Sequence, residues 1–227
     1  YRVLVNAYGK NKDDLVFINI IVIADTLRPE AKTSLDLIKN AGIKTIMITG
    51  DAKETAVSIG KELGLYNDKS IALTHNELSV LTDEQIINLY PNLCIIARAL
   101  PQDKSRLVSI LQSYKLVVGM TGDGVNDALA LKKSDVGFAL GSGSEVAKDA
   151  SDIVILDNNI SSICKAILYG RTIFKSIRKF IIYQLTVNVC ALILSIIGVL
   201  LGISTPITII QMLWLNMIMD TFAGLAF

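Results

Sequence analysis

The stretch KLVVGMTGDGVNDALALKK, Lys115–Lys133, decides how the rest of the chain is read. An apolar run, Lys115–Met120, meets Thr121-Gly122-Asp123-Gly124 and passes, from Asp127, into helix-period text ending at Lys133. A strand, a glycine turn and a helix start in this order bring backbone amides to a strand end, where an oxyanion can approach closely. Carboxylates at the same place repel phosphate unless a hard cation intervenes. Asp123 and Asp127, four residues apart, therefore suggest Mg2+ bound through carboxylate oxygen and water. An aspartate capping an ordinary helix is the plainer reading of either motif alone, and the pairing of two such motifs argues against it.

The second motif is Thr49-Gly50-Asp51, which closes the apolar run IKTIMI. Around it, from Leu15 to Leu156, short apolar runs alternate with helix-period segments. Strands are expected at Leu15–Ala24, Ile43–Thr49, Leu93–Ala97, Lys115–Met120, Val136–Leu140 and Asp152–Leu156, and helices at Pro29–Asn40, Lys53–Leu63, Gln102–Gln112 and Asp127–Lys133. Pro29 at the start of the first helix and Gly42 just past its end are the usual terminal signals. This alternation predicts an α/β domain with a mainly parallel sheet, in which ligands sit beyond the carboxyl ends of the strands. Thr74–Pro91 is more polar and reads as a helix and loop excursion. His75, the one histidine, lies in it and reads as a solvated surface residue. Lys104, early in the helix that precedes the second motif, can reach the same strand-end crevice and neutralise a phosphoryl group. By spacing alone it reads equally well as a solvated helix lysine. Arg98 likewise reads as a nucleotide contact or as half of a surface ion pair.

After Phe180 the character changes. Phe180–Ile203 carries no charged residue and is long enough to cross a hydrocarbon core as a helix, and Ser204-Thr205-Pro206 breaks it. Ile207–Phe227 is a second apolar stretch whose one charge is Asp220. Arg171, Lys175, Arg178 and Lys179 place the start of the first span on the cytosolic side of a lipid bilayer. Polar groups inside such spans are expensive and mark helix contacts or ion pathways. Helix–helix hydrogen bonding is expected for Gln184, Thr186, Ser195 and Gln211. Asn188, Asn216 and Asp220 read instead as oxygen donors to a hard cation, Asn216 and Asp220 sharing a helix face. With 52% hydrophobic residues and a net charge of +1, the chain offers no electrostatic case for nucleic acid. Its three cysteines are scattered and read as free thiols in a reducing compartment. The opening residues YRVLVNAYGKNKDD have no signal-peptide pattern, and the chain is expected to begin mid-protein.

The motifs TGD, ARxxPxxKxxxV (Ala97–Val108) and TGDGVNDAxALKKxDxG (Thr121–Gly137) resemble those of the P-type ATPases, whose phosphorylation domain is haloacid dehalogenase-like. The resemblance runs from about Ala24 to the last residue. It implies that Thr49 and Gly50 bind the phosphoryl group, that Asp51 lies near ATP, that Arg98 approaches the ribose and that Lys104 holds the transferred phosphate. It further implies that Asp123 carries Mg2+, with Asn126 and Asp127 completing the site. Asp25-Thr26-Leu27-Arg28 stands where the family usually has Asp-Pro-Pro-Arg, which makes Asp25 and Arg28 candidate nucleotide contacts. Leu129 replaces a usual proline, with little effect expected in a helix. No Asp-Lys-Thr-Gly-Thr motif is present, so the aspartate that accepts the phosphoryl group is expected to lie elsewhere in a longer protein, together with the nucleotide-binding and actuator domains and further membrane segments. Alone, the fragment is expected to be inactive.

YQLTVNV and QMLWLNMIMDT look like the fifth and sixth membrane helices of calcium pumps, closest to the plasma-membrane type. In sarcoplasmic-reticulum-type pumps a glutamate stands where this chain has Ala191, and a threonine where it has Met219. The resemblance therefore implies one Ca2+ per cycle, held by Asn188, Asn216 and Asp220 with ligands from an absent fourth helix. The expected organisation is a tail over residues 1–14, a phosphorylation domain over 15–160, a cytosolic stalk over 161–179, and membrane helices over 180–203 and 207–227. The same motifs would also serve a pump for another cation, or a membrane-anchored phosphatase of the dehalogenase superfamily.

Overall fold

The computed structural model describes residues 2–11, 14–23, 27–203 and 206–226. The chain forms two units, Tyr1–Cys164 and Lys165–Phe227. The candidate nucleotide contact Asp25 and the turn residues Ser204 and Thr205 lie outside the described residues.

In the first unit β1 (Arg2–Tyr8) and β2 (Val16–Ile23) form an antiparallel hairpin. β3 (Met47–Ile48), β4 (Ile71–Thr74) and β5 (Leu93–Ala97) form a parallel sheet in the order β3-β5-β4. β6 (Gly119–Gly122), β7 (Val136–Leu140) and β8 (Ile153–Ile155) form a second parallel sheet in that order. The expectation for Leu15–Ala24 is corrected in its pairing. That strand joins β1, which lies in the expected tail, and stands outside both parallel sheets. The reason is local: runs rich in Val, Leu, Ile and Phe on either side of Gly9-Lys10-Asn11 close a hairpin without a crossover.

The helices are α1 (Pro29–Asn40), α2 (Lys53–Glu62), α3 (His75–Ser79), α4 (Asp83–Leu89), α5 (Pro101–Ser113), a 3-10 turn at Val125–Asp127, α6 (Ala128–Lys133) and α7 (Glu145–Asp149). β5 is buried on both faces, as a central parallel strand must be. Ile95 and Ala97 face the cluster with Ala56 of α2, while Leu93 and Ile96 meet Leu78, Ile86, Leu107, Ile110 and Leu111. α5 therefore lies over one side of the first sheet. Leu116 and Val118, leading into β6, pack on the same cluster as Ile46 and Ile48, which puts α5 at the seam between the two sheets. Among the described residues, β3 and β6 are each the outer strand of a sheet on one side, and each leads into or carries a Thr-Gly-Asp motif.

The second unit contains most of α8 (Ile160–Leu200) and all of α9 (Ile209–Ala226). Both helices are long and apolar enough to cross a membrane, by length and composition, and almost none of their apolar surface is covered. Leu185, Val189, Leu192, Trp214 and Phe222 are exposed, an arrangement that water does not tolerate over so large an area. The less exposed positions on α8 (Gln184, Asn188, Ala191, Ser195, Gly198) and on α9 (Met212, Asn216, Met219, Ala223) recur at helical spacing. Thr208 caps α9 reciprocally with Gln211, their side chains and backbone amides exchanging bonds of 3.0 and 3.3 Å. The interhelical bonds expected for the polar groups are corrected. Thr186 and Ser195 donate to the carbonyls of Ile182 and Ala191 one turn back, at 2.8 and 2.9 Å. A hydroxyl in an apolar helix finds that acceptor without needing a partner helix.

Candidate phosphate site

The first motif follows β3. The Thr49 hydroxyl donates to Asp51 Oδ2 at 2.8 Å and accepts from the Asp51 amide at 3.1 Å, so the two side chains define one tight turn. That turn is laced to the end of β5: the Arg98 amide donates to Asp51 O at 2.9 Å and the Ala99 amide to Thr49 O at 3.0 Å. Arg98 takes φ 47° to make this bond, a conformation that costs a non-glycine residue about 1–2 kcal/mol. The candidate nucleotide contacts Asp51 and Arg98 are thus neighbours through the backbone, and both are exposed. Among the described residues no hydrogen bond or ion pair joins Arg28 to them. Arg28 stands extended at the N-terminus of α1, its carbonyl accepting from the Ala31 amide.

The second motif follows β6. Asp127 is 5% exposed. Its Oδ1 lies 2.5 Å from Lys104 Nζ, and its Oδ2 accepts from the amides of Asp123 and Gly124 at 3.3 and 3.4 Å. A buried carboxylate needs such partners. Gly122 makes the arrangement possible, because a Cβ there would lie 2.5 Å from the Asp127 Cβ. The Asp123 carboxylate, by contrast, is exposed, and its backbone oxygen accepts from the Ser144 amide at 2.8 Å. Asn126 is exposed in the 3-10 turn.

The donor set fits a magnesium ion in one respect and restricts it in another. Mg2+ needs only one or two protein carboxylates, with water and phosphate oxygens filling the rest. Asp123 is placed to provide one, whereas both oxygens of Asp127 are already engaged by an ammonium and two amides. Among the described residues no three histidine, cysteine, aspartate or glutamate side chains gather as a closed metal cage. Asp127 thus braces the turn, and Asp123 is the carboxylate open to a cation.

Two polar links beside the site have no counterpart in the sequence reading. Lys53, at the start of α2, forms an ion pair with Glu77 at 2.9 Å. This contact, followed by the Thr74 amide, holds the Glu77 carboxyl below its ordinary range. His75, expected to be solvated, is half-buried instead, and its Nδ1–H donates to Asp103 Oδ2 at 2.8 Å. Asp103 is 4% exposed and also accepts from the Leu100 amide at 2.8 Å, so the imidazole is held by a carboxylate that burial leaves in need of donors. The polar Thr74-His75-Asn76-Glu77 run is the signal for a capped helix, but nothing in it points to Asp103.

In the second unit Asn188 and Asn216 are half-buried, while Asp220 is exposed along α9 with Thr221 and Phe222. Gln184 Oε1 is buried without a hydrogen-bond partner among the described residues.

Residues 3–135 match the model of the haloacid dehalogenase-like hydrolases, and residues 106–167 match a second model of the same description. The chain is 43% identical over 216 residues to calcium-transporting ATPase 2 of Schizosaccharomyces pombe, covering 94% of this chain and 17% of that protein. It is 42% identical over 216 residues to calcium-transporting ATPase 1 of Bacillus cereus, covering 95% and 24%. It is 42% identical over 229 residues to human plasma membrane calcium-transporting ATPase 4, covering 94% and 18%. The chain thus spans between 17 and 24% of the length of these relatives. Among solved structures, a zinc-transporting PIB-type ATPase in its E2.Pi state superimposes with a TM-score of 0.68 at 27% identity, over 99% of this chain and 34% of that one.

Proposed function

The chain belongs to the haloacid dehalogenase-like hydrolases, and from that premise we propose that it is part of an ATP-driven calcium pump working through an aspartyl phosphate. Residues 15–160 form most of its phosphorylation domain, 161–179 its cytosolic stalk, and 180–203 and 207–227 two of its membrane helices, in the plasma membrane. The observation that carries this reading is the segment Arg98–Lys104, whose Arg98 and Ala99 amides hold the first Thr-Gly-Asp turn and whose Lys104 reaches Asp127 of the second, on a chain that continues into a 41-residue helix.

In this reading Thr49 and Gly50 bind the phosphoryl group and Lys104 neutralises its charge. Catalysis of this kind is positioning plus electrostatic stabilisation. Mg2+, held by Asp123 beside Asn126 and the braced Asp127, supplies charge neutralisation at the phosphoryl oxygens. Asp51, Arg98, Asp25 and Arg28 serve ATP. The phosphoryl-acceptor aspartate enters from another segment of the whole protein, on a strand that pairs with β3 and β6. Ca2+ is the cargo, one ion per cycle, bound by Asn188, Asn216 and Asp220 with ligands from other membrane segments. The exposed carboxylate of Asp220 on an otherwise apolar helix supports this, since such a group needs a cation or water in a bilayer.

The test uses the full-length protein. Asp220→Ala should abolish Ca2+-dependent phosphorylation from ATP while leaving phosphorylation by inorganic phosphate in place. Unchanged calcium dependence would remove Asp220 from the ion site. A pump for another cation is the second reading, favoured by the likeness to a zinc-transporting ATPase. Phosphorylation supported by Zn2+ and not by Ca2+ would establish it.

A further inference from the structure

The excursion between β4 and β5 carries no motif of the phosphate site, yet it is bound to that site at two points. On one side Thr74 caps α3, its amide donating to the Glu77 carboxylate at 2.6 Å, and Glu77 is paired with Lys53, two residues after Asp51. On the other side His75 meets Asp103 in the first turn of α5, next in sequence to Lys104. A second anchor lies one turn further along α5, where Arg106 donates to the carbonyls of Leu78 and Leu81 at 3.1 and 2.7 Å and pairs with Asp83 at 2.9 Å.

We propose that His75 is a positioning residue for phosphoryl transfer: its imidazole, by holding Asp103, fixes the first turn of α5 and with it the reach of Lys104 to Asp127. The proposal rests on the phosphoryl-transfer reading of the site given above. Successive residues of a helix point about 100° apart, so any rotation or fraying of that turn swings Lys104 off its target. The start of a helix is where fraying begins, because its amides lack intrahelical acceptors. Here the Leu100 amide is satisfied by Asp103, which in turn is held by His75. Without the imidazole, a carboxylate buried to 4% exposure keeps, among the described residues, the Leu100 amide alone, and it can regain partners only by moving toward water. The Arg106 anchor keeps the excursion in place, so the consequence falls on Lys104 and not on the fold.

The experiment measures turnover and phosphoenzyme decay in the full-length protein, with ATP and, separately, with inorganic phosphate and Mg2+. His75→Leu should lower kcat about tenfold, with KM for ATP unchanged, as expected when a charged group is misplaced by a fraction of an ångström. His75→Asn, whose amide N–H stands near the Nδ1 position, should restore kcat to within about threefold. His75→Gln, whose amide extends toward the Nε2 position, should resemble leucine. If the leucine variant does not accumulate, the asparagine and glutamine pair decides. Wild-type kcat in all variants, or equal losses in asparagine and glutamine, would overturn the proposal, as would a change confined to KM. Absence of any hydroxylamine-sensitive phosphoenzyme in the wild type would overturn the pump reading and this proposal together.

Discussion

The ammonium of Lys104 lies 2.5 Å from the carboxylate of Asp127, and this pair links the helix that covers the first sheet to the turn that ends β6 of the second. Lys104 is 21% exposed at its side chain and Asp127 8%. Lys104 therefore has a structural task in addition to the catalytic one proposed for it.

That double task can be separated by a mutant cycle. Lys104→Met leaves a buried carboxylate without its cation and should destabilise the chain by about 2–4 kcal/mol, somewhat less than a fully buried pair. Lys104→Met with Asp127→Asn should recover at least about 1 kcal/mol of that loss, because the uncompensated charge is gone. Urea unfolding of the four proteins reads the coupling. Additive losses would mean that the two residues do not interact in solution.

Gly122 gives a second handle on the same carboxylate. Alanine there places a methyl 2.5 Å from the Asp127 Cβ, and Asp127, short and buried, has no free end to swing away. Gly122→Ala should displace the Asp123–Asp127 turn and lower the phosphorylation rate of the full-length protein by about 100-fold. Gly170→Ala, in α8 and outside the phosphate site, is the comparison, since nothing lies within 4 Å of a Cβ at that position. Equal rates for the two variants would show that the turn adapts.

The Glu77 carboxyl predicts a pH effect of definite sign. Its bond from Lys53 and then the Thr74 amide hold it below the ordinary 4.5. A carboxyl depressed in the folded state stabilises fully above the unfolded value, and that contribution disappears as pH falls through the lower folded value. The pair is largely exposed, so about 0.2–1 kcal/mol is at stake. Between about pH 5 and about pH 3, the wild type should lose that much more stability than Glu77→Gln. Parallel curves for the two proteins would exclude the Lys53–Glu77 pair as a contributor.

What the sequence reveals of this fold follows from burial and range. β5 and β7 have the limits expected of them, because strands buried on both faces are written as unbroken apolar runs. α1 is legible to the residue from its proline start and glycine stop. β3 is two residues, Met47 and Ile48, where the run Ile43–Thr49 is expected to be extended throughout, since β5, its one neighbour among the described residues, pairs with it at those two positions. β4 is not legible because four residues, Ile71–Thr74, give too short a run beside the polar Asn67–Ser70 turn. α7 escapes for the same reason of length, five residues opened by the Ser144 cap. At the site, Thr49 with Asp51, and Asp123 with Asp127, are legible as local motifs. The pairs Lys53–Glu77 and His75–Asp103 join residues 24 and 28 apart, and they exist only once β4, β5 and their helices have packed.

The membrane hairpin offers a test that needs no activity. A Cβ on Gly198 would run into Pro206 Cγ and Cβ, so the end of α8 meets the chain leading into α9 at a separation only glycine permits. Pro206 is rigid and cannot yield by a rotamer change, so a side chain at 198 must push the connecting backbone away. Gly198→Val should therefore destabilise the detergent-solubilised protein by about 1–3 kcal/mol, the usual consequence of overpacking. Gly170, in the same helix, has open space around its Cβ position. Gly170→Ala should be neutral or stabilising by about 0.5–1 kcal/mol, through helix propensity alone. Thermal unfolding followed by helical circular dichroism reads both variants. Should Gly198→Val unfold at the same temperature as Gly170→Ala, the close approach of Pro206 would be absent from the protein in detergent.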